Sequence, residues 1–241
     1  MNFTKKNIKI KSTWFEDEEN KFKKIKAEGL YLYLNLFKFC IDKQEYEYTF
    51  ITSISLLRKE TGYKTKDIFD LLKCLQSCKI IKIQNLSRWD YLLDKKGEIK
   101  EKDVLIIAAT DVPTVDENEE DNDYFIWVDL DLMKYYMDIG LSEKYIPLYC
   151  LISKLSNGTE KKAYMSIEKM ADVLGYNKDF VHKMIRELNR NYLMYSERRK
   201  NGKNGYIYEH WICKRYDLIE KFKSEFGERI EKNIKKWDRK K

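Results

Sequence analysis

The two halves of this chain share a sequence pattern that indicates an internal repeat. A fold assigned to one half should therefore also fit the other half. The stretch RKETGYKTKDIFDLLKCLQSCKIIKI (58–83) aligns without a gap with ADVLGYNKDFVHKMIRELNRNYLMYS (171–196), and two Gly-Tyr pairs coincide. The same offset superposes Ser53 on Ser166. In both stretches apolar residues recur at intervals of three and four, as they do in amphipathic helices. We interpret the two halves as copies of one duplicated unit.

Each copy predicts the same order of elements. An apolar helix comes first, followed by a short helix with a serine N-cap and a closing glycine, and then by a third helix capped near Thr65 or Asn177. A β-hairpin completes the copy. The predicted ranges are 29–41, 53–63, 79–84 and 104–110 in the first copy, and 142–155, 166–176, 192–197 and 206–214 in the second. Segments 7–15 and 124–132 each predict a short strand that leads into a helix. This order is typical of a winged helix.

An acidic segment separates the copies. Residues 111–123 hold seven carboxylates, no Lys or Arg, and one of only two prolines, which predicts a linker or a long exposed loop. We therefore predict an α+β, mainly helical protein with two tandem winged-helix domains related by internal duplication. The predicted parts are a first domain at 1–110, the linker at 111–123, a second domain at 124–216 and a C-terminal basic amphipathic helix at 217–241.

Composition and motifs narrow the function classes. No apolar run has the length of a signal peptide or a membrane span, which predicts a cytoplasmic protein without membrane contact. The sequence has no phosphate-binding glycine loop, no HExxH and only two histidines, so we expect no enzymatic activity and no cofactor. The five cysteines are scattered and form no Cys/His cluster, so we expect no metal site.

The second copy carries the residues expected to contact DNA. In a winged helix the third helix enters the major groove and the hairpin tip lies against phosphates, where cations release condensed counterions. Arg can bind guanine bidentately and Asn can bind adenine. The candidates are Asn177, Lys178, His182, Lys183, Arg186, Asn189 and Arg190 on the third helix, and Arg198, Arg199, Lys200 and Lys203 at the hairpin tip. The alternative is that both groups are simply hydrated surface residues, and His182 fits either interpretation.

The first copy is less suited to DNA. It offers Thr65, Lys66 and Lys73, but Asp67 and Asp70 on the same helix would repel phosphates. Its longer hairpin loop has nearly balanced charges, which suits a protein contact or a weak backbone contact. The second domain is therefore the expected principal reader of DNA.

Beyond the second hairpin, apolar residues recur every three or four positions on a charged helix. They are Phe222, Phe226, Ile230, Ile234 and Trp237. Packing on the second domain or on a partner copy is one interpretation of this stripe, and a membrane-surface helix is the other. The final KKWDRKK can add phosphate contacts.

The first half, with STWFEDEENKFKKIKAEGLYLYLNLFKF and TGYKTKDIFDLLKCLQSCKIIKI, resembles the N-terminal winged-helix domains of replisome organisers and helicase-loading proteins of low-GC Gram-positive bacteria and their phages. The two-domain plan resembles plasmid replication initiators of the double winged-helix type. The resemblance implies a protein that binds double-stranded DNA at a replication origin, often as a homodimer. It also implies that the protein recruits a helicase or primase. A winged-helix transcriptional regulator and a protein-interaction scaffold without DNA binding remain alternatives.

Overall fold

The computed structural model of the protein describes residues 7–16, 20–44, 47–113, 125–156, 162–201 and 205–239. Within these ranges the protein is α+β, as predicted, with eight α-helices and nine β-strands. The chain divides into two compact units, with Met1–Trp14 and Glu19–Phe125 in unit 1, and Phe15–Glu18 and Ile126–Lys241 in unit 2. The change of unit at residue 125 falls close to the end of the predicted linker.

Unit 1 places three helices beside an antiparallel sheet. Its elements in chain order are β1 (Asn7–Lys11), α1 (Lys21–Leu36), β2 (Cys40–Gln44), β3 (Glu47–Thr52), α2 (Ile54–Thr61), α3 (Thr65–Ser77), β4 (Ile81–Ile83) and β5 (Leu105–Ala109). The sheet order is β2-β3-β5-β4. Aromatic rings fill part of the core, because Phe37 meets Tyr33, Tyr48 and Phe50 edge-on at centroid distances of 5.4, 5.0 and 5.1 Å.

Unit 2 repeats the arrangement and adds helices at both ends. Its elements are β6 (Phe125–Asp129), α4 (Leu130–Asp138), α5 (Ile146–Leu155), β7 (Ala163–Tyr164), α6 (Ile167–Leu174), α7 (Lys178–Arg190), β8 (Met194–Asn201), β9 (Gly205–Ile212) and α8 (Ile219–Asp238). The sheet order is β7-β9-β8, so β8 is an edge strand.

The short helices α2 and α6 begin and end at the residues that the sequence predicts. The hydroxyl oxygens of Ser53 and Ser166 each accept a hydrogen bond from the backbone N–H three residues later, at 3.2 Å in both cases. Each helix then ends at a glycine in the left-handed region, Gly62 at φ 75° and Gly175 at φ 65°. A side chain would be strained at this φ, so glycine fixes where the chain turns toward the next helix.

From α1 and α5 onward the two units share the order of their helices, although unit 1 has two strands, β2 and β3, where the described part of unit 2 has only β7. Helices α2 and α6 have 8 residues each, and α3 and α7 have 13 each. In both units the strand before the short helix pairs with the second strand of the hairpin, β3 with β5 and β7 with β9. The aligned helices therefore agree in length, and one strand pairing is common to both units.

The structure corrects the prediction for the first helix and for the strands before the short helices. Helix α1 begins at Lys21 rather than near residue 29, with a break at Lys26, whose φ is 57° and ψ −172°. The prediction also lacked β2, β3 and β7. β7 has two residues, which is too short for an alternating pattern to reveal.

Asp111, which the sequence analysis placed in the linker, is buried in unit 1 with 8% of its surface exposed. Its carboxylate accepts a hydrogen bond from Trp14 Nε1 at 2.8 Å, pairs closely with Lys21, and lies 3.5 Å from Lys11 Nζ. The linker prediction is therefore wrong for residue 111. Residues 114–123 of the predicted linker lie outside the described ranges.

Helix α8 packs on unit 2 through the predicted apolar stripe. Phe222, Phe226 and Ile230 are buried against Tyr195 and Cys213, and Ile234 is partly buried in the same cluster. The Asn233 amide donates a hydrogen bond to the Ser196 carbonyl oxygen at 2.9 Å, which ties α8 to edge strand β8. In the described part of the chain, none of the helices combines the length and apolarity that crossing a bilayer requires.

Candidate nucleic-acid interface

Helix α7 presents most of the predicted DNA-contacting residues on its surface. Val181, Met184 and Leu188 are fully buried, so the opposite side of the helix faces solvent. Lys178, His182, Lys183 and Arg190 are exposed there, and Arg186 is half-buried. The carbonyl oxygen of the Asn177 side chain accepts a hydrogen bond from the Phe180 N–H at 2.7 Å, so Asn177 caps the helix as predicted.

Asn189 does not belong to this surface, and its prediction as a DNA contact is wrong. It is 0% exposed, and its amide donates to the Ile185 carbonyl oxygen at 2.8 Å. Position 189 lies one turn after Ile185 and therefore continues the buried stripe. The helical spacing indicated that position 189 is buried, but the prediction followed the polar residue type instead.

Weak ion pairs hold three of the exposed cations of α7. Lys178 pairs with Glu168 at 3.4 Å, Lys183 with Glu187 at 3.8 Å, and Arg190 with Asp238 of α8 at 2.9 Å. Exposed pairs of this kind contribute little to stability, because solvent screens them and ordering two long side chains costs entropy. A phosphate can therefore replace the carboxylate at little cost.

The hairpin of β8 and β9 sorts its cations onto two faces. Arg198 pairs in register with Tyr208, and side chains alternate along a strand, so Arg198 lies on the same face as Ser196 and His210. Arg199 lies on the other face, where it pairs with Glu197 at 3.2 Å and with buried Glu209 at 3.0 Å. Arg199 therefore also stabilises the sheet.

The predicted hairpin group also contains two lysines, Lys200 and Lys203. Lys200 is exposed at the end of the described part of β8. Lys203 lies outside the described residues, so its predicted contact stays a prediction. The sequence analysis thus placed three strand residues, Arg198, Arg199 and Lys200, at the hairpin tip.

A cleft of about 870 Å³ lies between α7, the hairpin and α8. Arg186 of α7 and Arg198 and Arg199 of β8 line it together, so the structure brings predicted residues from both groups to one place. The guanidinium of Arg186 lies 5.9 Å from the ring centre of Trp237. Helix α8 also lines the cleft with three cations, Arg229, Lys232 and Lys236. Lys236 belongs to the final KKWDRKK, for which phosphate contacts were predicted, whereas the sequence analysis did not single out Arg229 and Lys232.

In unit 1 the hairpin loop contacts the corresponding helix α3, whose Lys73 is nevertheless exposed. Phe69, which aligns with His182, packs edge-on against Trp89 of the hairpin loop at 5.3 Å. Lys73, which aligns with Arg186, places its Nζ 4.5 Å from the Phe69 ring centre and 5.8 Å from that of Trp89. The predicted Lys73 contact with DNA would have to displace this arrangement.

The start of α3 is also occupied. The Thr65 hydroxyl donates to the Glu101 carboxylate, which Arg58 contacts at 3.3 Å, and the Ser55 N–H donates to the Glu101 carbonyl oxygen at 2.8 Å. Thr65 is the first residue of α3 and does not cap it, contrary to the prediction, because the cap position is Lys64. Lys66 is exposed. Unit 1 therefore presents a much smaller cationic face than unit 2.

His210 forms part of the cleft floor but is fully buried. Its Nδ1 lies 2.9 Å from the Ser196 hydroxyl and its Nε2 lies 3.1 Å from the Met165 carbonyl oxygen. Burial lowers the pKa of His210 to about 4. A neutral ring that donates from Nε2 and accepts at Nδ1 satisfies both contacts, so His210 is structural at neutral pH.

We expect His210 to make unit 2 less stable in acid. Its folded-state pKa lies below the usual value of about 6.5, so its contribution is complete above pH 6.5 and is lost as the pH falls from there through about 4. The loss should amount to about 3 kcal/mol, measured as the free energy of urea unfolding between pH 7 and pH 4. Because carboxylates titrate in the same window, the comparison is with His210→Gln, which should lose correspondingly less. Equal losses in both proteins would contradict the assignment.

Comparison of the chain with models of protein families gives no match, and a search of curated proteins also gives none. Among the described residues, no group of three or more His, Cys, Asp or Glu side chains is placed to hold a metal ion.

Proposed function

We propose that the protein is a sequence-specific double-stranded DNA-binding protein whose unit 2 reads the duplex. In this proposal each unit is a winged helix, α7 enters the major groove, and the hairpin of β8 and β9 lies against the phosphate backbone. The observation that carries the proposal is the convergence of Arg186 and Arg198, from the helix and the hairpin, on one cationic cleft.

The residue types on α7 suit this role. A helix in the major groove reads bases mainly with residues in its N-terminal half, which here presents Lys178, His182 and Lys183 to solvent. Arg and Lys hydrogen-bond guanine O6 and N7, and exposed cations add salt-dependent affinity. The shared order of elements in the two units supports the winged-helix assignment and the duplication.

DNA binding could serve replication or transcription, and different observations favour each. The resemblance to replisome organisers and plasmid initiators favours an origin of replication, with a helicase or primase as a protein partner. The contacts of the hairpin loop with Phe69 and Thr65 of α3 favour one DNA-reading unit per chain. They support a second candidate, a transcriptional regulator that dimerises to reach two half-sites. In both candidates unit 1 is available for protein contacts.

Selection of binding sites from random-sequence duplexes, at two salt concentrations, tests the proposal. Wild-type protein should enrich a defined motif, and Arg186→Ala should change the preference at one position by about 1–3 kcal/mol. Asn177→Ser is the informative change at the cap, because it keeps a capping oxygen while it removes the amide donor. Absence of binding at low salt would refute the proposal and favour a protein-interaction scaffold.

A footprint on natural DNA containing the motif then separates the two processes. An initiator should protect a long region of repeated sites, and a regulator should protect a short palindrome.

A further inference from the structure

The C-terminal helix α8 forms one wall of the cleft that Arg186 and Arg198 line. Its contribution comes from Arg229, Lys232 and Lys236. These positions are spaced by three and four residues, so they lie on one side of the helix. The cleft therefore receives cations from three separate elements, α7, β8 and α8.

The position of α8 is fixed by packing that does not involve these cations. Phe226 stacks on Tyr195 at 5.2 Å and lies 5.7 Å from the Trp211 ring, and Ile230 is 0% exposed. Asn233, which donates a hydrogen bond to the Ser196 carbonyl oxygen, stands between Lys232 and Lys236 in the sequence. The helix therefore holds its cationic side at the cleft without help from a ligand.

Carboxylates do not neutralise this wall. Within the described ranges, Arg229, Lys232 and Lys236 form no ion pair with Asp or Glu. Glu197 is the only carboxylate among the described residues that line the cleft, and it pairs with Arg199 at 3.2 Å. Like charges three and four residues apart repel each other on a helix. An anion in the cleft would relieve this repulsion.

We propose that α8 is a third DNA-contacting element, which uses Arg229, Lys232 and Lys236 to hold the phosphate backbone of the duplex that α7 and the hairpin engage. This inference rests on the proposed function of unit 2. It adds a contact on the C-terminal side of the hairpin that the helix and hairpin alone do not provide. A strand of phosphates fits the site because its repeated negative charges match a row of cations, with no requirement for base recognition.

The test is the salt dependence of duplex binding by the full chain. The cleft variant, R229A/K232A/K236A, should bind with a log K versus log salt slope about 2–3 less negative than wild type and with an affinity on the order of 100-fold lower at about 0.1 M salt. The control variant removes three exposed lysines of unit 2 that do not line the cleft, K134A/K221A/K223A. Its slope should change by less than about 1.

The outcomes distinguish this inference from the proposed function. If wild type binds and the cleft variant has the wild-type slope, or changes no more than the control, α8 is not a contact and the inference fails while unit 2 remains the reader. If wild type binds no duplex, both fail. A third variant, R229K/K232R/K236R, keeps the charges and should keep the wild-type slope, which separates loss of contacts from loss of folding.

Discussion

Removal of three hairpin cations should weaken duplex binding on the order of 100- to 1,000-fold at about 0.1 M salt, because each lost phosphate contact forfeits the release of about 0.9 counterion. The variant replaces Arg198, Lys200 and Lys203 with alanine. Its slope of log K against log salt should become less negative by about 3, and its affinity should approach that of wild type near 1 M salt. Fluorescence anisotropy with a labelled duplex at four or more salt concentrations measures both quantities.

Arg199 is left in place in this variant for a structural reason. Its guanidinium lies 3.0 Å from the carboxylate of Glu209, which is 3% exposed and also contacts Lys162 at 3.2 Å. Removal of Arg199 would leave a buried carboxylate with one cationic partner, and a loss of stability would be confused with a loss of binding. Arg199→Ala is therefore a separate variant, whose unfolding free energy is measured beside its affinity.

The control for the hairpin variant removes three cations of unit 2 that belong to neither α7, the hairpin nor the cleft. These are Lys134, Lys154 and Lys221. The net charge falls by the same amount, so a general electrostatic attraction would weaken both variants equally. That result would contradict a role for the hairpin, whereas a selective effect on the hairpin variant would support it.

Local signals carried most of what the sequence predicted correctly. Ser53 and Ser166 accept the expected capping bonds, and Gly62 and Gly175 adopt the expected left-handed conformation. Each of these signals depends on a few neighbouring residues, so a single sequence is sufficient to recognise it. The same pattern of a serine cap and a closing glycine occurs in both aligned stretches, which strengthened the prediction.

The prediction failed where distant contacts decide the outcome. The hairpin loop of unit 1 has balanced charges, and its sequence does not show that Trp89 packs on Phe69 or that Glu101 reaches Thr65. The cationic cleft likewise depends on α8 packing beside β8, and the apolar stripe of α8 fits a partner copy as well as its own unit. Asn189 is a different case, because helical spacing alone placed it beside Ile185.

Asp111→Ala should destabilise unit 1 by about 4 kcal/mol, the largest single-residue effect that we expect on stability. The carboxylate accepts a hydrogen bond from the Trp14 indole at 2.8 Å and pairs with two lysines, Lys21 and Lys11. Trp14 is 0% exposed, so its N–H would lose its partner in a place that water does not reach. The lysine side chains, which are 19% and 22% exposed, would each lose the ion pair with Asp111 in a partly desolvated site.

Two further substitutions separate the charge from the hydrogen bond. Asp111→Asn keeps an acceptor for Trp14 and removes the negative charge, so it should cost less than the alanine variant. Asp90→Ala removes an exposed carboxylate that pairs with Arg88 at 2.6 Å, and it should leave the free energy of unfolding almost unchanged. The measurement is the free energy of urea unfolding at neutral pH.

If Asp111→Ala cost no more than Asp90→Ala, residue 111 would belong to the acidic linker after all. A large cost would instead show that Asp111 belongs to the folded core of unit 1. A fragment ending at residue 110 would then lack the carboxylate that joins the chain around Trp14 to the start of α1.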